Sequence, residues 1–213
     1  MEIKWLGHSC FVLTSNAGFK MMMDSMDVST GFSIQPHRVD VVTSSRTHSG
    51  HSCFAPAQEA PTRISEPGEY RVGEARIRGF NTGQGHACEK NIVFAVEMDD
   101  LRILHAGGLD HIPDADTAAA VGPVDVMFIP VGGIFTADPV AALELCALFD
   151  PNVVIPMHYK IAQRVPTLED LNPFLLCAAK GRTVHQMRQS ELTLTKASLG
   201  TNRIVVLQYD RAG

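Results

Sequence analysis

Paired cysteines, long apolar runs and clustered positive charge are all missing from this chain. Its five cysteines (Cys10, Cys53, Cys88, Cys146 and Cys177) are odd in number and scattered, and no CxxC pair occurs. A disulfide framework and a structural zinc knuckle are therefore not expected. No apolar stretch reaches the length needed to span a bilayer, so no membrane association is expected. The start, MEIKWLGHSC, has a strand-like pattern without the apolar core of a signal peptide, which points to a cytoplasmic protein with reduced thiols. Lys plus Arg total 18 against 23 Asp plus Glu, and no basic run is interleaved with aromatics. Nucleic acid is not an expected partner, because its phosphates demand a basic face. Two catalytic signatures are also missing. The glycines of VGGIFTAD (131–138) lack the rest of a P-loop, and no G-x-S-x-G elbow occurs.

What the chain does have is core-forming material. Apolar residues make up 45% of its 213 residues and charged residues 19%, enough for one domain over 1–213. The first half reads as strands: 3–6, 10–14, 19–24, 39–43, 75–80, 91–98 and 101–106, the last pair split by Asp99–Asp100 in a hairpin pattern. The second half alternates. Strands at 124–131, 152–157 and 203–209 enclose a helix over 138–149, with Asp138 as N-cap, and a second over 167–181, in which Pro173 predicts a kink. Strands followed by strand–helix alternation imply two sheets with helices outside them.

Polar clusters recur just past the apolar runs. SSRTHSGHS (44–52) follows VDVV, NTGQGHA (81–87) follows RIRGF, HAGGLDH (105–111) follows LRIL, and MHYK (157–160) follows NVVIP. Loops at strand ends that carry His, Gln and Asp can converge on one pocket. By themselves, His48 and His51 fit either a metal loop or a pair of hydrogen-bonded loop histidines.

The segments IKWLGHSCF, FKMMMD, EPGEYRVGEARIRG, LRILHAGGL, GPVDVMFIPVGGIFTAD and VVIPMHYK run in order along nearly the whole chain. In these the chain resembles the metallo-β-lactamase superfamily, closest to the small cytosolic branch that includes the L-ascorbate-6-phosphate lactonase-like proteins. The resemblance implies a four-layer αββα sandwich with a metal site along one edge. It places the ligand positions of a His-x-His-x-Asp-His loop on Arg46, His48, Gly50 and His51. A further His position falls near Gln84, with His86 as the neighbouring alternative. The bridging Asp falls on Gly108, and the last His on His158. Three of these seven positions are kept and four are lost.

These losses matter chemically. Glycine at 50 and 108 supplies no donor, and the second would have bridged two ions. A cation such as Arg46 beside a dication costs roughly 4 kcal/mol per unit charge pair at ~4 Å and an effective dielectric of ~20. Alternatively, its guanidinium occupies the space of a lost ion and holds an anion there. His51 and His158 alone are too few for a catalytic zinc, which usually has three protein ligands. The nearby recruits are His86, Asp110, His111 and Cys53. His8 and His105 are read as orienting the site from beneath, and Tyr159 as pocket wall beside His158.

The expected protein has no metal or one divalent ion (zinc, manganese or iron), and no full dinuclear centre. Two functions compete. One is a metal-dependent-hydrolase-like protein with an eroded site and no hydrolytic role, or an altered one. The other is a single-metal hydrolase of a lactone or phosphoester. A small anionic ligand and self-association into a homo-oligomer are the expected partners.

Overall fold

The computed structural model describes residues 1–59, 62–84, 90–161 and 167–210. Tight turns break the N-terminal third into a meander: Glu2–Gly7 pairs antiparallel with Cys10–Thr14, which pairs antiparallel with Lys20–Met23. The hydroxyl of Ser15 accepts from the Ala17 and Phe19 amides and holds the turn between the second and third of these. Val41–Thr43 and Thr62–Ile64 then join in parallel, and Glu191–Thr193 closes the other edge, giving a six-stranded sheet.

The second sheet has eight strands, in the order Thr183–Gln186, Arg203–Val206, Val153–Met157, Val126–Pro130, Leu101–His105, Lys90–Met98, Ala75–Gln84 and Gly68–Val72. Its hairpin at 90–105 turns through Asp99 and Asp100, both left-handed (φ 53° and 60°), as a two-residue turn with matching twist requires. VMFIP and VVIPM are buried at every position, as parallel strands covered on both faces should be.

The two sheets meet through stacked aromatics. Phe11 lies on Phe128 with ring centroids 4.1 Å apart and planes 9° from parallel, and Trp5 stacks on Phe11 at 6.3 Å. Replacing Phe11 with alanine is expected to lower stability by about 3–5 kcal/mol in urea unfolding, since the facing sheets cannot close over the void. A loss under about 1 kcal/mol would place the core elsewhere. A smaller cluster (Leu6, Cys10, Val12, Met22, Met26, Phe32, Val39, Val42 and Ala57) fills the far side of the six-stranded sheet.

Pro139–Phe149 is a helix whose N-cap Asp138 accepts from the Val140 and Ala141 amides, and it stops at left-handed Asp150. The 167–181 expectation shrinks to Asn172–Ala178. Pro173 sits in that helix's first turn, where its missing N–H is harmless, so it starts the helix and does not kink it. Ala115–Val121 is a helix that the sequence pattern did not show. It buries Val121 alone and has no apolar stripe; the Arg78 guanidinium, bonded to the Ala120 and Val121 carbonyls, pins its end. The strands at 62–64, 68–72, 183–186 and 191–193 also escaped the pattern, being short and largely exposed. Among the described residues no helix is long and apolar enough to cross a membrane.

This arrangement gathers the C-terminal ends of several strands at one edge of the sandwich. His8 follows Glu2–Gly7, Asp24 follows Lys20–Met23, and His158 follows Val153–Met157. Two bonds clamp the sheets together there: the His158 amide donates to His8 O at 3.1 Å, and His105 Nε2 donates to Ser9 O at 2.9 Å.

Candidate metal centre

His8 and His158 both adopt left-handed backbone (φ 49° and 51°), a conformation that costs a non-glycine residue roughly 1–3 kcal/mol and persists only when surroundings impose it. The surroundings are visible. His8 O accepts from Trp5 Nε1 as well as from the His158 amide, which lashes the two residues back to back. Their rings end up 4.2 Å apart, centroid to centroid. His51 reaches the same point from the turn Ser49–Ser52, its ring 5.6 Å from that of His8 and 6.2 Å from that of His158. One ring nitrogen from each of His8, His51 and His158 lies within 4.8 Å of the others, and all three donors are buried.

Hydrogen bonds set which nitrogens are available. Asp24 is fully buried, and its Oδ2 takes His51 Nδ1 at 2.6 Å, leaving Nε2 of His51 as the free donor atom. Ser45 holds Asp24 from the other side through its amide (2.7 Å) and hydroxyl (2.6 Å). A carboxylate behind a ligand histidine is the arrangement that fixes its ring and raises its basicity. The Thr136 hydroxyl donates to Gly133 O at 3.0 Å, so its oxygen is left to accept from His158 Nδ1 at 3.4 Å. Nδ1 of His8 is buried without a hydrogen-bond partner. An orphaned imidazole nitrogen beside two oriented histidines is what a cation would satisfy, so these residues fit one divalent ion.

Among the described residues this is the one group of three or more such donors that comes together. A Cβ at position 108 would collide with Nε and Cζ of Arg46, so the guanidinium fills the space a side chain at 108 would need. Arg46 is buried there, with Nη2 donating to Gly108 O. A Cβ on Gly50 falls 3.1 Å from His8 Nε2, so the bare position leaves room for the His8 ring. A side chain at 108 would thus collide with Arg46, and one at 50 would press against the His8 ring. His48 is the N-cap of the 49–52 turn: its Nδ1 accepts from the Gly50 amide at 3.1 Å, its side chain is exposed, and it is not in the three-histidine cluster.

His8, Arg46, His48, His51 and His158 line one cavity of about 300 Å³ together with Ser29, Thr30, Thr136 and Thr167, and with Ile134, Phe135 and Leu168 on its apolar side. His105 is buried and is not among the residues lining the cavity; its Nδ1 accepts from the Gly107 amide. Tyr159 does not line the cavity. It is buried against Trp5, centroids 5.5 Å apart, because left-handed His158 turns the next residue inward. Asp110 and His111 bond each other at 2.8 Å, and His111 Nε2 donates to Thr82 O at 2.6 Å, so they tie a strand end and stay out of the cluster. Cys53 caps the 49–52 turn at its C-terminal end. His86 and the side chain of Gln84 lie outside the described residues. Sequence reasoning gave no role to Asp24, Ser45 or Thr136. The available signal for Asp24 was its place directly after a strand, the same position as the histidines.

Electrostatics keeps His8 and His158 neutral without a metal. Burial, then the charge of His51, pushes His8 down from 6.5 to about 3. Burial and the neighbouring His8 and His51 push His158 well down, and burial lowers His105 against the pull of Asp24. Burial would raise the Asp24 carboxyl, but His51, His105 and Ser45 outweigh it and hold it below its ordinary range. Both kinds of shift act in one direction. Between about pH 6.5 and 3 the unfolded histidines bind protons that folded His8 refuses, so stability is fully present above that window and lost through it. Asp24 adds a loss below about pH 4, where its unfolded form protonates first. The chelator-treated protein is expected to need progressively less urea to unfold from pH 7 to 5; a midpoint constant over that range would contradict buried neutral histidines.

Comparison with known proteins agrees with this fold. Residues 2–158 match the family described as the beta-lactamase superfamily domain. The UPF0173 metal-dependent hydrolase of Carboxydothermus hydrogenoformans is 25% identical over 192 residues, covering 75% of this chain and 84% of that one. The UPF0173 metal-dependent hydrolase of Archaeoglobus fulgidus is 24% identical over 196 residues, covering 75% and 83%. A solved structure of a metallo-beta-lactamase superfamily protein from Thermotoga maritima superposes with a TM-score of 0.80 at 30% identity, over 97% of this chain and 99% of that one.

Proposed function

Since the chain belongs to the metallo-β-lactamase superfamily, we propose that it is a hydrolase that works with a single divalent ion held by His8, His51 and His158. The observation that carries this reading is the convergence of three buried ring nitrogens within 4.8 Å of one another. Three protein nitrogens with one open position is the ligand count of catalytic zinc sites. A bound divalent ion supplies Lewis acidity toward a carbonyl or phosphoryl oxygen and makes water acidic enough to attack near neutral pH.

The chain's own residues do the rest. Asp24 fixes the His51 ring and, through its charge, makes His51 a stronger donor. Thr136 fixes the His158 ring in the same way through a neutral hydroxyl. Ile134, Phe135 and Leu168 shield one side of the cavity from water, and its volume of about 300 Å³ suits a small substrate. The likeness to lactonase-like proteins noted in the sequence favours a lactone, with phosphoesters as the related class. Among the described cysteines Cys10, Cys53, Cys146 and Cys177 are unpaired, which supports a cytoplasmic setting.

Chelator-treated protein, supplied in turn with zinc, manganese or iron(II), tests the proposal against a panel of lactones and phosphodiesters. The expected result is hydrolysis that saturates at one ion per chain. Metal uptake without turnover on any substrate would instead support the second reading, a ligand-binding protein with an eroded site. That reading is favoured by the diversion of His48 to a capping role and by the cation at Arg46.

A further inference from the structure

The loop after Val126–Pro130 carries a feature that metal binding does not use. Gly133, Ile134 and Phe135 are three consecutive left-handed residues (φ 58°, 41° and 70°). Glycine takes that conformation freely, but a β-branched Ile there is an outlier that its surroundings must impose. Three bonds do so: the Gly133 amide donates to Ala137 O at 3.1 Å, the Thr136 hydroxyl to Gly133 O at 3.0 Å, and the Ala137 amide to Leu109 O at 2.8 Å. The turn lifts two large apolar side chains into the open, Ile134 at 47% exposure and Phe135 at 72%. A turn that needed only its shape would take Gly or Asn at such positions. Both residues line the histidine cavity, and both line a second cavity of about 570 Å³. They stand between the two as an apolar ridge. The same turn carries Thr136, whose oxygen accepts from His158 Nδ1, so the ridge is tied to a residue of the proposed metal centre.

We infer that Ile134 and Phe135 determine substrate specificity: they take an uncharged alkyl or aryl group that the substrate carries beside its scissile lactone or ester, and lead it from the centre toward the second cavity. Continuity with the histidine cavity names the occupant. The ridge begins at that cavity's wall, where Leu168 adds a third apolar surface, and runs outward from it. The second cavity says which tail fits. Asp110, Asp138 and Glu169 are among its lining residues, and no Lys or Arg is among the described ones. A tail ending in a carboxylate would meet like charge there, whereas an uncharged tail would not. The imposed turn shapes the ridge before the ligand arrives, which lowers the entropy cost of binding. The inference rests on the hydrolase proposal for the bond that is cut, yet the apolar contact itself does not require the metal.

The probes are γ-valerolactone, γ-octalactone and γ-decalactone, which differ only in a methyl, butyl or hexyl tail. Their binding to chelator-treated protein is measured by ligand-observed NMR. Affinity is expected to rise about twofold per methylene, roughly half the gain of full burial because a ridge covers a tail on one side, and so about thirtyfold from methyl to hexyl. In Phe135→Ala that gain should fall below about fivefold, and Phe135→Leu should restore most of it. On the unaltered protein, the ring resonances of Phe135 are expected to shift along the γ-decalactone binding curve, a readout that does not depend on any variant folding. No gain with tail length, the same gain in Phe135→Ala, or Phe135 resonances that do not move would each overturn the inference. A lower gel-filtration mass in Phe135→Ala with an unchanged gain would assign the ridge to contact between copies of the chain, and would overturn it too. Because the titration is metal-free, lack of turnover on reloading with metal would defeat the hydrolase proposal and leave this result standing. Turnover that is indifferent to the tail would do the reverse.

Discussion

Replacing His8 with alanine is expected to weaken metal binding at least about a hundredfold, while His48→Ala changes it by no more than a few fold. The family pattern points the other way, because His48 stands at a ligand position of its metal loop and His8 lies far outside that loop. Geometry reverses the roles. His8 has a buried Nδ1 without a hydrogen-bond partner, and one of its ring nitrogens lies within 4.8 Å of those of His51 and His158. His48 is exposed and spends Nδ1 on the Gly50 amide. Changes to groups that only support a ligand already cost about 10–100-fold in affinity, so loss of one of three direct donors belongs at or beyond that range. His48→Ala removes a helix cap instead and should cost about 1 kcal/mol of stability. Competition against a chromophoric chelator measures both variants. Metal loss in His48→Ala with retention in His8→Ala would return the site to the family pattern.

The second large effect concerns metal count. The double variant Arg46→His, Gly108→Asp is expected to bind a second ion, more weakly than the first. Neither change should achieve this alone. Gly108→Asp places its Cβ against the buried guanidinium and is expected to cost about 1–3 kcal/mol through overpacking. Arg46→His removes the repulsive cation but leaves position 108 without a bridging carboxylate. Together they relieve the clash and restore two donors, so their effects couple strongly, as expected for groups in direct contact. Metal analysis after gel filtration checks the count. A single ion in the double variant would mean that Arg46 and Gly108 are not what limits the site.

Most of the scaffold could be read from local pattern. The buried runs at 126–130 and 153–157, the Asp99–Asp100 hairpin and the Asp138 cap all depend on neighbours in sequence, and the structure has them where expected. The loops past strand ends were also identifiable, because hydrophobic runs stop abruptly at polar clusters. What stayed hidden depends on contacts between distant residues. Arg46 and Gly108 are 62 positions apart, and only their packing shows that the guanidinium fills the space beside Gly108. Whether His8 lies under the site or in it turns on one left-handed residue and its bonds to Trp5 and His158. Asp24 closes a strand of methionines, and nothing local says that it faces His51. The 115–121 helix was invisible for a different reason, since a guanidinium and a cap hold it and no apolar face does.

The proposed centre holds one ion, with His8 among its ligands. Crystals soaked in zinc and measured at the zinc absorption edge test this directly. One anomalous peak per chain is predicted, within bonding distance of ring nitrogens from His8, His51 and His158. Two peaks sharing the space now filled by Arg46, or a single peak bonded to His48 and not to His8, would contradict it.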